Sequence, residues 1–170
     1  FIGFSAGLSV LVSHLYGEKD YTRLSALVQS IFVTVLAFAV CLTAAGILLT
    51  PQLLAALSTP AELIPTASTY LRITLGGMLA QLLYNTASAI LRALGNTTSA
   101  LHYLAAAVVL NIALDILLLF IIPCGIAGAA LATVAAQYAA ALLTLRKILH
   151  LHGAWQFRLV RPFFVPKHLT

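Results

Sequence analysis

Charge is what this sequence has least of: 8% of its 170 residues are Asp, Glu, Lys or Arg, and only four of those are acids. A water-soluble domain carries roughly a quarter charged residues, so an ordinary globular surface is excluded, and so is a disordered polyelectrolyte. Cysteine is nearly missing too. Cys41 within an apolar run and Cys124 beside Pro123 are too few for a disulfide-stapled secreted scaffold and carry no redox information. Ten glycines and six prolines without a period exclude a collagen-like chain. There is no Gly-rich phosphate loop, nucleophile elbow or HExxH. The histidines, His14, His102, His150, His152 and His168, are scattered, and His150 with His152 lacks a third ligand at metal-site spacing. No catalytic residue, metal or cofactor is therefore expected, and the chain is not read as an enzyme. An initiator Met, a basic n-region and a small-residue cleavage site are absent from the start, so the chain reads as a fragment that opens inside a helix at Phe1.

What fills the sequence is hydrocarbon. Hydrophobic residues make up 62% of it and mean hydropathy is +1.05, which describes a protein whose outer surface is itself solvated by lipid. The net charge of +5 might suggest a nucleic-acid partner, but a basic groove needs clustered cations and these are dispersed between apolar stretches. Membrane topology explains them better, and no nucleic acid is expected.

Residues 1–16 form an apolar run too short to cross alone, halted by Gly17-Glu18-Lys19-Asp20. Residues 24–50 suffice for a tilted span, which Pro51 is expected to end, leaving 51–65 as a loop with three prolines. A third span is expected over 66–91. A fourth runs over 99–122 after the turn and N-cap chemistry of Asn96-Thr97-Thr98-Ser99, and a fifth over 126–145 after the Pro123-Cys124-Gly125 break. Residues 150–170 read as an interfacial linker following the helical domain of residues 1–149. The fold class is thus all-α, a polytopic transmembrane bundle of about five spans with the lipid bilayer as its solvent.

Alternating spans put the loops 17–23, 92–98 and 146–170 on one side. These contain Lys19, Arg23, Arg92, Arg146, Lys147, Arg158, Arg161 and Lys167. The loops 51–65 and 123–125 contain no Lys or Arg, unless Arg72, just inside the third span, is counted with them. The positive-inside rule makes the first group cytoplasmic and the chain a multi-pass protein of the cell inner (plasma) membrane.

Asp115 is the most informative residue. An Asp near mid-span costs roughly 2.5–3.5 kcal/mol on insertion scales and needs a partner or a use. Asn111 lies at i−4 on the same helical face. Thr133 sits seven residues past Ile126 and Asp115 seven before Ile122, so at about 1.5 Å per residue both lie about 10 Å below one boundary. An antiparallel hairpin brings the three to one depth, where water access would govern whether the carboxyl is charged, as H⁺ or Na⁺ coupling requires. Two plainer readings stand beside this one: Asn111 and Thr133 bonding their own backbone or a neighbouring helix, and Asp115 as a purely structural buried acid. Gln81, Tyr84, Asn85, Gln137 and Tyr138 also fall near mid-span, either wetting a substrate cavity or making helix-packing contacts. Gly128, Ala132, Ala136 and Ala140 recur at i+4, a small-residue stripe for close helix approach.

Several stretches together resemble the multidrug and toxic compound extrusion family of antiporters, in particular its branch related to DNA-damage-inducible protein F. Gly7-Leu8-Ser9-Val10-Leu11-Val12 leading to Tyr16-Gly17-Glu18-Lys19-Asp20-Tyr21 is similar to the end of that family's second helix and its loop. Tyr70-Leu71-Arg72-Ile73 and Ile90-Leu91-Arg92-Ala93-Leu94-Gly95-Asn96-Thr97 resemble its fourth helix and the Arg-x-x-Gly-Asn/Asp-Thr turn. Asn111-Ile112-Ala113-Leu114-Asp115 and Gly125-Ile126-Ala127-Gly128-Ala129-Ala130-Leu131-Ala132-Thr133 resemble its fifth and sixth helices. The resemblance implies a twelve-span exporter of organic cations or related amphipathic compounds, driven by inward H⁺ or Na⁺, with Asn111, Asp115 and Thr133 in a cation-coupling network. It also implies that the first helix, with a further acid, and the second six-helix half are partners missing from this chain, which is then not expected to transport alone. The same superfamily leaves a lipid-linked oligosaccharide flippase open, and a non-transporting membrane scaffold subunit is the alternative from another class.

Overall fold

A computed structural model describes residues 2–151, with side chains from residue 6 onward. The linker expected over 150–170 lies almost wholly outside the described residues, as does Phe1. Five α-helices follow one another: α1 (Ile2–Gly17), α2 (Tyr21–Ala56), α3 (Ile64–Ala93), α4 (Thr97–Ile116) and α5 (Gly125–Leu149), with a π turn (Leu117–Ile121) closing α4. Every described element is helical, and each helix packs on the next in sequence. The chain is an all-α, polytopic membrane bundle.

Three of the helices are long and apolar enough to cross a membrane: α2, α4 with its π turn, and α5. They achieve this by exposing their hydrocarbon. Along α2, Leu24, Val28, Ile31, Val35 and Ala39 form a buried stripe at helical period, while Val33, Leu36, Phe38 and Val40 between them are exposed. Both faces are apolar, so burial rather than polarity separates inside from outside, as expected when lipid is the solvent. Polarity is concentrated instead in α3. This 30-residue helix carries Arg72, Gln81, Asn85, Ser88 and Arg92 and packs against all four other helices, with Thr86, Ser88, Ile90 and Leu91 buried.

The turns are built from local chemistry. Gly95 takes the left-handed conformation (φ 81°) that an L side chain resists, Asn96 N–H bonds Leu91 O at 2.9 Å, and Asn96 Oδ1 accepts from Ser99 N–H to cap α4. The α1–α2 turn repeats the design with Lys19 at φ 59° and Asp20 as the cap, accepting from Arg23 N–H at 3.0 Å and pairing with Arg23 Nε at 3.3 Å.

One expectation fails. Pro51 does not end the second helix, because α2 runs through it to Ala56. The ring removes the N–H that would bond Ile47 O; Thr50 Oγ1 bonds the neighbouring carbonyl, Gly46 O, at 2.9 Å, and the continuing turn buries Leu54. Ser/Thr bonding and neighbour packing are how membrane helices absorb an internal proline. The connection to α3 is therefore only residues 57–63, with Pro65 in the first turn of α3, where its missing N–H is harmless.

The hydrophobic core joins Leu8 and Val12 of α1, Leu24 to Ala39 along one stripe of α2, Leu82, Ala87, Ile90 and Leu91 of α3, Ala100 at the start of α4 and Ile148 at the end of α5. Beyond Ala100, α4 contributes no buried residue, although Asn111 and Asp115 are half-buried. Asp115 is fifteen residues, roughly 22 Å of helix, beyond Ala100 and is not part of the core cluster.

Candidate functional site

The residues around Asp115 are set by the α4–α5 hairpin. Ile122 leaves the helical region ahead of Pro123, Gly125 at φ 59° turns the chain, and α5 returns beside α4. Gly128 allows close approach to Leu118, and Gly128, Ala132, Ala136 and Ala140 are all buried, the row continuing at i+4 through Thr144 and Ile148.

Asn111 Nδ2 donates to Thr133 Oγ1 across the hairpin at 3.4 Å, and Thr133 Oγ1 donates its own proton to Ala129 O at 3.1 Å. The hydroxyl thus accepts from one helix and donates within the other. Asn111 turns to Thr133 rather than to the acid. Asp115 Oδ1 is buried and, among the described residues, is the one buried side-chain nitrogen or oxygen without a hydrogen-bond partner. A desolvated carboxyl oxygen left unpaired is costly. Among the described residues, the ion pairs His14–Glu18 and Asp20–Arg23 are at the α1–α2 turn and do not reach it.

Of the other polar residues singled out in the sequence, Gln137 and Tyr138 of α5 meet α3, and Gln81, Tyr84 and Asn85 are on α3 itself. Gln81, Tyr84, Asn85 and Gln137 are half-buried. Tyr138 is 38% exposed, and its hydroxyl donates to Gly76 O on α3 at 3.2 Å. Thr43 of α2 donates to the adjacent carbonyl, Leu75 O, at 3.3 Å, so two neighbouring helices bond to consecutive carbonyls of α3. Gln137 lies over Gly77: a methyl built on that glycine would sit 2.8 Å from Gln137 Oε1 and 2.7 Å from Val134 Cγ2. Sequence reasoning missed Thr43 and Gly77. The Gly76-Gly77 pair within an otherwise helical run was the available signal for close approach.

Tyr138 has a testable packing role. Removing its hydroxyl in Tyr138→Phe should cost the full-length protein about 0.6 kcal/mol, the average for interhelical hydrogen bonds in membranes, read as a small drop in thermal unfolding temperature in detergent. A stability loss several times larger would mean that the ring, and not this bond, anchors the contact.

A bundle of long helices with lipid-facing sides, a polar central helix and an acid with one unpaired oxygen in a helical hairpin defines a polytopic membrane protein. The MatE family model matches residues 1–117. The probable multidrug resistance protein YpnP of Bacillus subtilis (strain 168) is 34% identical over 166 residues, covering 98% of this chain and 36% of that protein. YoeA of the same organism, also a probable multidrug resistance protein, is 33% identical over 146 residues, covering 84% of this chain and 32% of that one. Among solved structures, the inward-facing conformation of a multidrug resistance MATE family transporter of the MOP superfamily has the same fold, with a TM-score of 0.85 at 22% identity over 92% of this chain and 36% of that one. The chain belongs to the MatE family, a family of transporters. It spans about a third of the length of the curated relatives it matches.

Proposed function

We propose that the full-length protein exports organic cations or related amphipathic compounds from the cell across the inner (plasma) membrane, in exchange for inward H⁺ or Na⁺. Asp115 is the cation-coupling carboxyl, Asn111 and Thr133 orient and complete its coordination, and Gln81, Tyr84, Asn85, Gln137 and Tyr138 line the substrate path. The loops 17–23, 92–98 and 146–170 face the cytoplasm. The observation that carries the reading is the unpaired, buried Asp115 Oδ1 beside an amide and a hydroxyl joined across two helices. The descriptions of YpnP and YoeA as probable multidrug resistance proteins support the export direction.

A coupling ion can shift the balance of two transporter states only by binding them with different affinities. Asp115 meets that requirement if it exchanges its bare oxygen for a partner between states. The test reconstitutes the full-length protein in liposomes and follows ethidium movement with an imposed H⁺ gradient, then with an imposed Na⁺ gradient. One of the two should drive ethidium against its own gradient. If neither does, while the protein is inserted and binds the dye, coupled antiport is the wrong mechanism.

A further inference from the structure

α4 does not finish as an α-helix. From Leu117 to Ile121 it widens into a π turn, in which Ile122 N–H reaches back five residues to Leu117 O at 2.8 Å and Cys124 N–H six residues to Leu118 O at 2.9 Å. A π turn holds one residue more than regular α geometry, is rare, and concentrates at functional positions. Its sequence, Leu-Leu-Leu-Phe-Ile, contains nothing that disfavours an α-helix strongly, and no residue in it is buried. Pro123 follows directly, lacks an N–H and biases Ile122 out of the α region, and α5 packs on the turn from the other side. α5 approaches so closely that a methyl group on Gly128 would lie 2.9 Å from the Leu118 carbonyl oxygen and 3.2 Å from Leu118 Cβ. The oxygen belongs to the backbone and cannot swing aside, so Gly128 and the π turn interlock.

This turn begins two residues after Asp115. One residue of α-helix is about 100° of rotation. Whether the extra residue is present between Asp115 and the clamped end of the helix therefore decides where the carboxyl points relative to α5. In the observed setting Asn111 bonds Thr133 and Asp115 Oδ1 has no partner. The charged and titratable groups on the elements packed against α4 are Arg72, Arg92, Tyr70 and Tyr84 on α3 and Arg146, Lys147 and Tyr138 on α5, with His102 and Tyr103 on α4 itself. No ion pair from any of them to Asp115 is present among the described residues.

We infer that the π turn Leu117–Ile121, clamped by Gly128, is a positioning element that sets the rotation of the Asp115 carboxyl and thereby tunes its hold on the coupling cation. The inference rests on the reading of Asp115 as the coupling group. Deleting Leu119 removes the surplus residue and lets the turn close as α-helix. Gly128→Ala acts from the other side by pushing α5 off the Leu118 carbonyl. Leu119→Ala shortens an exposed side chain without touching the register.

All three are made in the full-length protein, and two quantities are read: ethidium binding, and the H⁺ or Na⁺ concentration giving half-maximal ethidium efflux in liposomes. The deletion and Gly128→Ala should each shift the half-maximal concentration at least tenfold, with ethidium binding within twofold of the unaltered protein, while Leu119→Ala shifts neither. Gly128→Ala decides the matter if the deletion does not insert, and deletion decides if Gly128→Ala does not. Unchanged cation dependence in an inserted, dye-binding variant overturns the inference. If Asp115→Asn also leaves cation dependence unchanged, the coupling role of the acid has failed; if Asp115→Asn abolishes it, only the positioning role of the π turn has.

Discussion

Asp115→Asn should abolish cation-driven efflux by the full-length protein while leaving membrane insertion intact. Asparagine keeps the shape of the side chain and an acceptor oxygen at the same place, but it cannot bind or release a proton and has no charge to hold Na⁺. Coupling free energies of this kind run at about 1–3 kcal/mol, so stimulation by the driving ion of about 5–150-fold should collapse to none. Insertion should be no worse, because a neutral amide is cheaper in hydrocarbon than an acid costing roughly 2.5–3.5 kcal/mol. The decisive comparison is ethidium efflux from liposomes with and without the ion gradient, alongside protein abundance in the membrane. Efflux that keeps its ion dependence would remove the carboxyl from the mechanism. Normal flux with lost assembly would instead point to a structural acid.

Two adjacent glycines predict opposite outcomes. Gly77 is buried where α3 meets α5, and even a methyl there would overlap Val134 Cγ2. Val134 is β-branched and has little χ1 freedom to retreat, whereas Gln137 can move its amide away. Gly77→Leu must therefore push α3 and α5 apart, at a cost of about 3 kcal/mol for an overpacked contact. It should lower the thermal unfolding temperature sharply and, by displacing the helix that carries Thr133, reduce coupled efflux. At Gly76 a Cβ meets nothing within 4 Å. Gly76→Ala should be neutral or stabilising by up to about 1 kcal/mol through helix propensity, with the Tyr138 bond retained because it uses the backbone carbonyl. Equal tolerance of Gly77→Leu and Gly76→Ala would show that the α3–α5 contact is not as close as described.

Much of this architecture is readable without coordinates, because lipid imposes one simple demand: every spanning backbone bonds to itself, so an apolar run bounded by breakers is a helix. Asn96 announces itself as a cap, and the i+4 row of Gly128, Ala132, Ala136 and Ala140 announces a close helix contact by spacing alone. The candidate site was legible for the same reason. An acid is conspicuous in hydrocarbon, and helical periodicity carries Asn111 to its face, while counting residues back from the Pro123 break carries Thr133 to its depth.

What the residues could not announce depends on neighbours distant in sequence. Pro51 obeys the local rule for a helix stop, and only the burial of Leu54 beyond it shows what holds the continuing turn of α2. The π turn has no signature in Leu-Leu-Leu-Phe-Ile itself, and the close approach of Gly128 to the Leu118 carbonyl beside it is visible only in the fold. Asn111 had two partners within reach on spacing grounds, and packing of α5 on α4 selected Thr133, leaving Asp115 Oδ1 bare. Composition and periodicity alone determined that this protein is a helical membrane bundle with one acid sunk in it, because solvent and backbone hydrogen bonding act on each segment separately. Which oxygen goes unpaired, and how closely α5 approaches the turn beside it, was decided by tertiary structure, because those outcomes depend on ångström-scale contacts between helices that no single segment encodes.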